Sequence, residues 1–125
     1  MKTKEELLNI NPLVFAFIGD AVHTLFVRHS SFGEGTILVK NLHKKGSELC
    51  CAKKQAATLD KLIPSLTEEE LDLVRRTRNT KTSNSAKGAT DEEYKKSTCF
   101  EALIGWHYLQ KNIQRVDFLL QSSVN

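Results

Sequence analysis

The stretch NPLVFAFIGDAV, from Asn11 to Val22, decides the fold of this 125-residue chain. Asn11 is a favourable helix N-cap and Pro12 suits the first helical position, so the sequence predicts a helix from Pro12 to about Ser30. Its first half is apolar on nearly every side, which is typical of a central, buried helix. Gly19 weakens a helix interior, and therefore predicts that another part of the molecule approaches the backbone closely there.

A second stretch, STCFEALIG from Ser97 to Gly105, is also apolar and also carries one acid. Asp20 in the first stretch and Glu101 in the second have no lysine or arginine three or four places away. A buried carboxylate is tolerated when it is paired, protonated or bound to a cation. We therefore expect both acids to be buried and to share a hard cation, Mg²⁺ or Mn²⁺, since oxygen ligands suit such ions.

The rest of the chain also predicts helices, because no stretch alternates apolar and polar residues as a strand would. Two capping boxes, Thr67 with Glu70 and Thr90 with Glu93, predict helix starts at Glu68 and just after Thr90. The fold class is therefore all-α, a helical bundle. The remaining expectations are a loop at 31–35, a cap at Thr36, a break near Gly46 and Ser47, a helix up to Leu62 closed by Pro64, fraying near Asn79, a flexible basic loop at 80–89 and a last helix over 116–122.

Composition narrows the class of protein. With 40% hydrophobic and 26% charged residues the chain is globular rather than disordered, and we expect residues 1–125 to form a single domain. The longest apolar run, 13–18, is far shorter than the ~20 residues of a spanning helix. The N-terminus lacks the apolar core of a signal peptide, and the three cysteines show no CxxC spacing. We therefore expect a cytoplasmic protein with reduced thiols and no membrane contact.

A basic run lies at the end of the predicted helix that begins at Glu68 and continues into the loop. Basic residues are favourable at the C-terminal end of a helix, which would explain one or two of these residues but not the whole set. A mobile basic segment is suited to binding the phosphate backbone of a nucleic acid. Together with the net charge of +3, the run favours a nucleic-acid partner. The candidate RNA-binding residues are Arg75, Arg76, Arg78, Asn79, Lys81 and Lys87.

His23, one turn after Asp20, is a weaker candidate for the metal site. A solitary histidine on a helix is more often hydrogen-bonded than a ligand, and no second histidine completes a metal-binding spacing. Neither HExxH nor a phosphate-cradling glycine loop occurs. The sequence therefore favours the two acids alone as catalytic and metal-binding residues.

The motifs NPLVFAFIGDAV, VRRTRNTK and STCFEALIGWHYL together resemble the ribonuclease III family, and specifically its Mini-ribonuclease III subfamily, which has a catalytic domain alone. The likeness runs from about Leu8 to Leu109. Asp20 matches the aspartate of the family's signature helix and Glu101 the glutamate of its second acidic motif; in the family both ligate the catalytic divalent ion. Residues 75–79 fall on the subfamily's RRxRN segment.

The chain departs from the family at three acidic positions. Ala16, Thr24 and Thr98 stand where full-length bacterial enzymes usually place acids, which leaves a sparser carboxylate site. Thr77 also stands where the subfamily is expected to have glycine. The resemblance nevertheless implies a homodimer that holds one double-stranded RNA across two active sites. It also implies precursor 23S ribosomal RNA as the substrate.

The sequence hypothesis is therefore a Mg²⁺-dependent endoribonuclease, with Mn²⁺ as a substitute, that hydrolyses double-stranded RNA to 5′-phosphate products. Asp20 and Glu101 would hold the ion, which activates water and stabilises charge on the leaving oxygen. A non-catalytic RNA-binding or ribosome-associated dimer stays open as the alternative, because Ala16 and Thr98 replace two expected acids. A metal-storage bundle lacks the paired ligand motifs.

Overall fold

A computed structural model of the chain describes residues 3–35, 38–82 and 88–124. Helices dominate these residues, and no strand occurs within the described ranges. The all-α prediction is thus confirmed. The helices are α1 (Lys4–Leu7), α2 (Pro12–Gly33), α3 (Val39–Cys50), α4 (Ala52–Leu62), α5 (Glu68–Arg78), α6 (Asp91–Leu109) and α7 (Ile113–Ser122), with a short 3-10 turn at Ile63–Ser65 after α4.

The predicted start signals are confirmed. Asn11 accepts a hydrogen bond from the Leu13 amide at the start of α2. Both predicted capping boxes are formed, and they open α5 and α6. A third capping box, Thr3 with Glu6, opens the four-residue α1, which the sequence interpretation had not anticipated.

Several boundaries differ from expectation. Helix α2 continues through Gly33, so most of the expected 31–35 loop is helical. Helix α3 runs unbroken past Gly46, and the chain turns only at Cys51, whose extended backbone separates α3 from α4. Helix α7 begins three residues before the expected Val116. Thr36 and the centre of the 80–89 loop lie outside the described residues.

The central buried helix is α6 rather than α2. Phe100, Leu103 and Ile104 of α6 are fully buried, and α6 packs against α2, α4, α5 and α7. Helix α2 buries one face, which includes Phe15 and Val27. Its opposite face is apolar but exposed, so the expectation of an all-round buried helix is wrong for the isolated chain. The exposed ridge of α2 consists of Val14, Phe17, Leu25 and Phe32.

Two general features of the described residues concern the cysteines and the apolar character of the helices. The three cysteines, Cys50, Cys51 and Cys99, are free thiols, as their spacing predicted. Among the described helices, none has the length and apolar character that a membrane crossing requires.

Candidate active site

Two glycines bring α2 and α6 into backbone contact. A Cβ on Gly19 would lie 1.7 Å from the Glu101 carbonyl oxygen, and one on Gly105 would lie 1.9 Å from the carbonyl oxygen of Phe15. No side chain fits at either position, so the helices cross at their glycines. The close approach predicted at Gly19 is confirmed. Because Asp20 directly follows Gly19, its side chain leaves α2 beside that of Glu101.

The Asp20 and Glu101 carboxyl groups meet across this crossing. Burial raises the pKa of Glu101 to about 9, with further contributions from a hydrogen bond to Asp20 and from its negative charge. Glu101 is half-buried, whereas Asp20 is exposed in the isolated chain. The expectation that both acids are buried is therefore wrong for Asp20, because the ridge side of α2 faces solvent. The pairing of the two acids, which motivated that expectation, is present.

Within the described ranges, no cationic side chain neutralises this pair. Among the described residues, neither acid forms an ion pair with a lysine or an arginine. Nor do the described ranges bring together three or more histidine, cysteine or acidic side chains that could hold a metal ion. The pair thus offers carboxylate oxygens from two sides, and any further ligands would have to come from water or substrate.

Gln55 joins Glu101 to the core, and the sequence analysis missed it. Its Nε2 lies 3.4 Å from Oε2 of Glu101 and 3.0 Å from Nδ1 of His23. The side chain is buried on the same face of α4 as Leu59 and Leu62, at positions i, i+4 and i+7. A glutamine at a core position of an amphipathic helix was the signal that could have revealed it.

His23 is a buried neighbour of the site and contacts no acid directly. Burial lowers its pKa to about 4, although the charge of Asp20 acts in the opposite direction. Its Nδ1 is occupied by Gln55, its Nε2 has no hydrogen-bond partner, and its ring contacts Phe100 edge to face. This arrangement agrees with the hydrogen-bonded interpretation of His23 and makes it a neutral support for Gln55.

The basic run is placed apart from this arrangement, and its arginines have partners. Arg75 pairs with Asp72, and Arg76 donates to the Leu8 carbonyl oxygen at 3.3 Å. Arg78 pairs with Glu92 near the start of α6. None of the three makes a described contact with Asp20 or Glu101. Asn79 forms the exposed C-cap of α5, Lys81 is exposed, and Lys87 lies outside the described residues.

A second acid, Glu70, is fully buried at the other side of the core. Arg115 donates to both of its carboxylate oxygens at 2.7 and 2.8 Å, and His107 lies 2.7 Å away. Burial pushes the pKa of Glu70 upward, but the hydrogen bonds from His107 and Arg115 outweigh it and hold the pKa well below its usual range. This carboxylate is fully satisfied by the protein and ties α5 to α6 and α7.

The fold and the acid pair define an all-helical protein with a candidate hard-cation site. Comparisons with known proteins show which family has this fold. The family model for the ribonuclease III domain matches residues 13–112. A protein of Fusobacterium nucleatum solved by X-ray crystallography has a similar fold, with a TM-score of 0.84 and 29% identity over 95% of each chain.

Relatives narrow the likeness further. The chain is 41% identical to Mini-ribonuclease 3 of Thermoanaerobacter sp., over 98% of this chain and 86% of the relative. It is 42% identical to Mini-ribonuclease 3 of Brevibacillus brevis, over 96% and 92% of the two chains. The chain therefore belongs to the ribonuclease III family of endoribonucleases, among the Mini-ribonuclease 3 proteins. This family generally uses a divalent metal ion and acts on double-stranded RNA.

Proposed function

We propose that the chain is a Mg²⁺-dependent endoribonuclease that cuts double-stranded RNA at Asp20 and Glu101. The observation that carries the proposal is the meeting of two carboxyl groups that form no ion pair with any lysine or arginine of the described residues. Two adjacent carboxylates repel each other, and a bound divalent cation removes this repulsion. Membership of a family that acts on double-stranded RNA supplies the substrate class.

The residues present fit a divalent ion of the Mg²⁺ type. Mg²⁺ is usually held by one or two carboxylates together with water and substrate phosphates, and the site offers two carboxylates and an exposed side at Asp20. Mn²⁺ accepts the same ligands and is expected to substitute. When bound, such an ion supplies Lewis-acid activation of water and stabilises charge on the leaving oxygen.

The protein's own contribution is orientation and charge. Gln55 donates to Glu101 and, through His23, is anchored in the core, so one carboxylate oxygen is held in place while the other stays available. Asp20 is exposed and can face the scissile phosphate directly. By resemblance to the family, water is the attacking group and the products carry 5′-phosphate and 3′-hydroxyl ends.

The basic run would position the duplex through its phosphates. Exposed ion pairs such as Arg78 with Glu92 contribute little stability, so phosphate can replace the carboxylate partners of Arg75 and Arg78. A-form RNA is recognised by its shape and 2′-hydroxyl groups, which requires little base contact. Asn79, Arg76, Lys81 and Lys87 belong to the same proposed surface. By resemblance, precursor 23S ribosomal RNA is the proposed substrate.

A homodimer is the proposed assembly. Val14, Phe17 and Leu25 form an apolar ridge on α2, and Phe17 is 77% exposed. Such a contiguous apolar surface is unusual for a monomer, and a two-fold dimer would cover it with the same ridge of a second copy. Because Asp20 lies on the helix that carries this ridge, a dimer would place two sites on one assembly.

A non-catalytic RNA-binding dimer is the second candidate, and one observation favours it. At two positions where the family usually has acids, Ala16 is buried and the Thr98 hydroxyl donates back to the Tyr94 carbonyl oxygen. Neither residue can add a carboxylate ligand. Incubation of the protein with a labelled RNA duplex and Mg²⁺, followed by gel electrophoresis, separates the candidates. An enzyme cuts the duplex into shorter products, whereas a binding protein only slows its migration in a native gel.

A further inference from the structure

Arg28 differs from the other arginines in having no partner among the described residues. Arg75, Arg78 and Arg115 form ion pairs, and Arg76 donates to a backbone carbonyl. Arg28 is exposed on α2 and forms neither an ion pair nor a side-chain hydrogen bond with the residues that the structure describes. An unpaired guanidinium with five donors is the group best suited to bind phosphate.

Arg28 lies close to the acid pair along the same helix. Asp20, Thr24 and Arg28 are spaced at i, i+4 and i+8, which places them along one side of α2 over about 12 Å of rise. Cys50 connects them from α3, since its Sγ lies 4.0 Å from Oγ1 of Thr24. Burial raises the pKa of this thiol, and the charges of both acids and of Arg28 reach it.

A small pocket opens between Arg28 and α3. Its volume is about 120 Å³, and its lining includes Arg28 of α2 with His43 and Ser47 of α3, whose side chains all carry hydrogen-bond donors. Thr24, Gly46 and Cys50 complete the lining, so none of the described residues that line the pocket is an acid. Such a donor set without acids favours an anion over a cation.

We propose that this Arg28 pocket is a phosphate subsite that holds a backbone phosphate of the RNA strand beside the scissile bond. This proposal rests on the proposed function, which identifies the bound strand as RNA. Arg28 donates to the phosphate oxygens, while His43 and Ser47 complete the contact from α3. The subsite fixes the strand along α2, so that the scissile phosphate lies at Asp20 and Glu101.

The test combines Arg28→Gln with RNA duplexes that each carry one neutral methylphosphonate at a chosen position. Binding is measured by fluorescence anisotropy with Ca²⁺ in place of Mg²⁺. Arg28→Gln alone, and the methylphosphonate alone at the phosphate that Arg28 contacts, are each expected to weaken binding about tenfold. At one phosphate beside the scissile bond, the two changes together should cost no more than either alone. His43→Ala should show a smaller loss at the same phosphate.

Lys111→Gln is the matched control, since it removes one exposed positive charge from the α6–α7 turn. It should show no coupling to any single phosphate. If Arg28→Gln behaves like this control at every position, the subsite is wrong. If Arg28→Gln instead changes the dimer dissociation measured by ultracentrifugation and shows no coupling, Arg28 is an interface residue and the proposal is also overturned.

The outcome is separable from that of the proposed function. Cleavage of the unmodified duplex with Mg²⁺ tests the acid pair alone. If the duplex is cut but Arg28→Gln shows no coupling to any phosphate, the enzyme proposal is supported and the subsite proposal is wrong. If Arg28→Gln couples to one phosphate but the duplex is not cut, the subsite proposal is supported and the catalytic proposal is wrong.

Discussion

Glu70 and Glu101 are both acids within the helical core, and their surroundings are opposite. Glu70 is fully buried and accepts hydrogen bonds from Arg115 and His107, which hold its pKa well below its usual range. Glu101 has a second acid, Asp20, as its neighbour, and its pKa is raised to about 9. The more buried of the two acids is therefore the one whose charge is satisfied.

This difference separates a structural acid, Glu70, from the acid that we propose to be functional, Glu101. A buried carboxylate with its full set of donors stabilises the fold and has nothing left to offer a ligand. A pair of carboxylates whose outside donor is the neutral amide of Gln55, with no ion pair among the described residues, destabilises the empty protein and can be stabilised by a cation from outside. Burial alone does not distinguish the two cases, but the list of partners does.

The largest effect is expected where the acid pair is assembled. Gly105→Ala forces a methyl group to within 1.9 Å of the Phe15 carbonyl oxygen, so α2 and α6 must separate. We expect more than about 4 kcal/mol of destabilisation, measured by chemical denaturation. Gly46→Ala is the matched control, because its Cβ would meet no atom within 4 Å in the middle of α3. The control should stabilise the protein slightly, and similar stability of both variants would refute the crossing.

Replacing each acid with glutamine should change the free energy of unfolding in opposite directions at Glu70 and Glu101. Glu70→Gln removes the charge that Arg115 and His107 satisfy and should cost about 3 kcal/mol. Glu101→Gln removes repulsion from Asp20 and should stabilise the metal-free protein by about 1 kcal/mol. Urea denaturation in a chelator measures both. Loss of stability in both variants would contradict the contrast.

The pH dependence of stability should follow the same contrast. The pKa of Glu70 is lowered from 4.5, so its stabilisation is present above that value and is lost as the pH falls below it. The pKa of Glu101 is raised from 4.5 to about 9, so its destabilisation of the metal-free protein grows as the pH rises between these values. Denaturation of wild type and Glu101→Gln at a series of pH values should show a gap that widens from pH 4.5 to about 9.

A smaller effect is expected at Gln55. Gln55→Leu keeps the volume and removes the donor to Glu101, so cleavage should fall about 10-fold to 100-fold through kcat, with KM nearly unchanged. The Mg²⁺ concentration needed for half-maximal rate should rise as well. Gln114→Leu changes an exposed glutamine in the same way and should leave the rate unchanged. Equal loss in both variants would show that Gln55 has no positioning role.

Local signals in the sequence predicted much of the fold. The Asn11–Pro12 start and both capping boxes depend on neighbours within a few residues, and each is confirmed. The close contact at Gly19 is also confirmed, although its partner, the backbone of Glu101, is distant in sequence and was not predicted. The break near Gly46 was wrong because glycine weakens a helix by only about 1 kcal/mol, which tertiary contacts can outweigh. The extended backbone at Cys51 left no comparable sequence signal.

Long-range partners could not be predicted in this way. Gln55 meets Glu101 across 46 residues of sequence, and Arg78 meets Glu92 across 14, so only the folded chain shows these contacts. The exposure of Asp20 depends on which face of α2 packs inward, and a helix that is apolar all round does not reveal this. For the same reason Arg28, which no motif singled out, became a candidate only through its lack of partners.

The most direct measurement is the rate at which the wild-type protein, Asp20→Asn and Glu101→Gln cut a labelled RNA duplex in Mg²⁺, with Kd measured in parallel. With no other acid at Ala16 or Thr98 to compensate, each variant should lose at least about 1,000-fold in rate while it still binds RNA. Cleavage by either variant at the wild-type rate, or binding without cleavage by the wild type, would contradict the assignment of the acid pair as the catalytic centre.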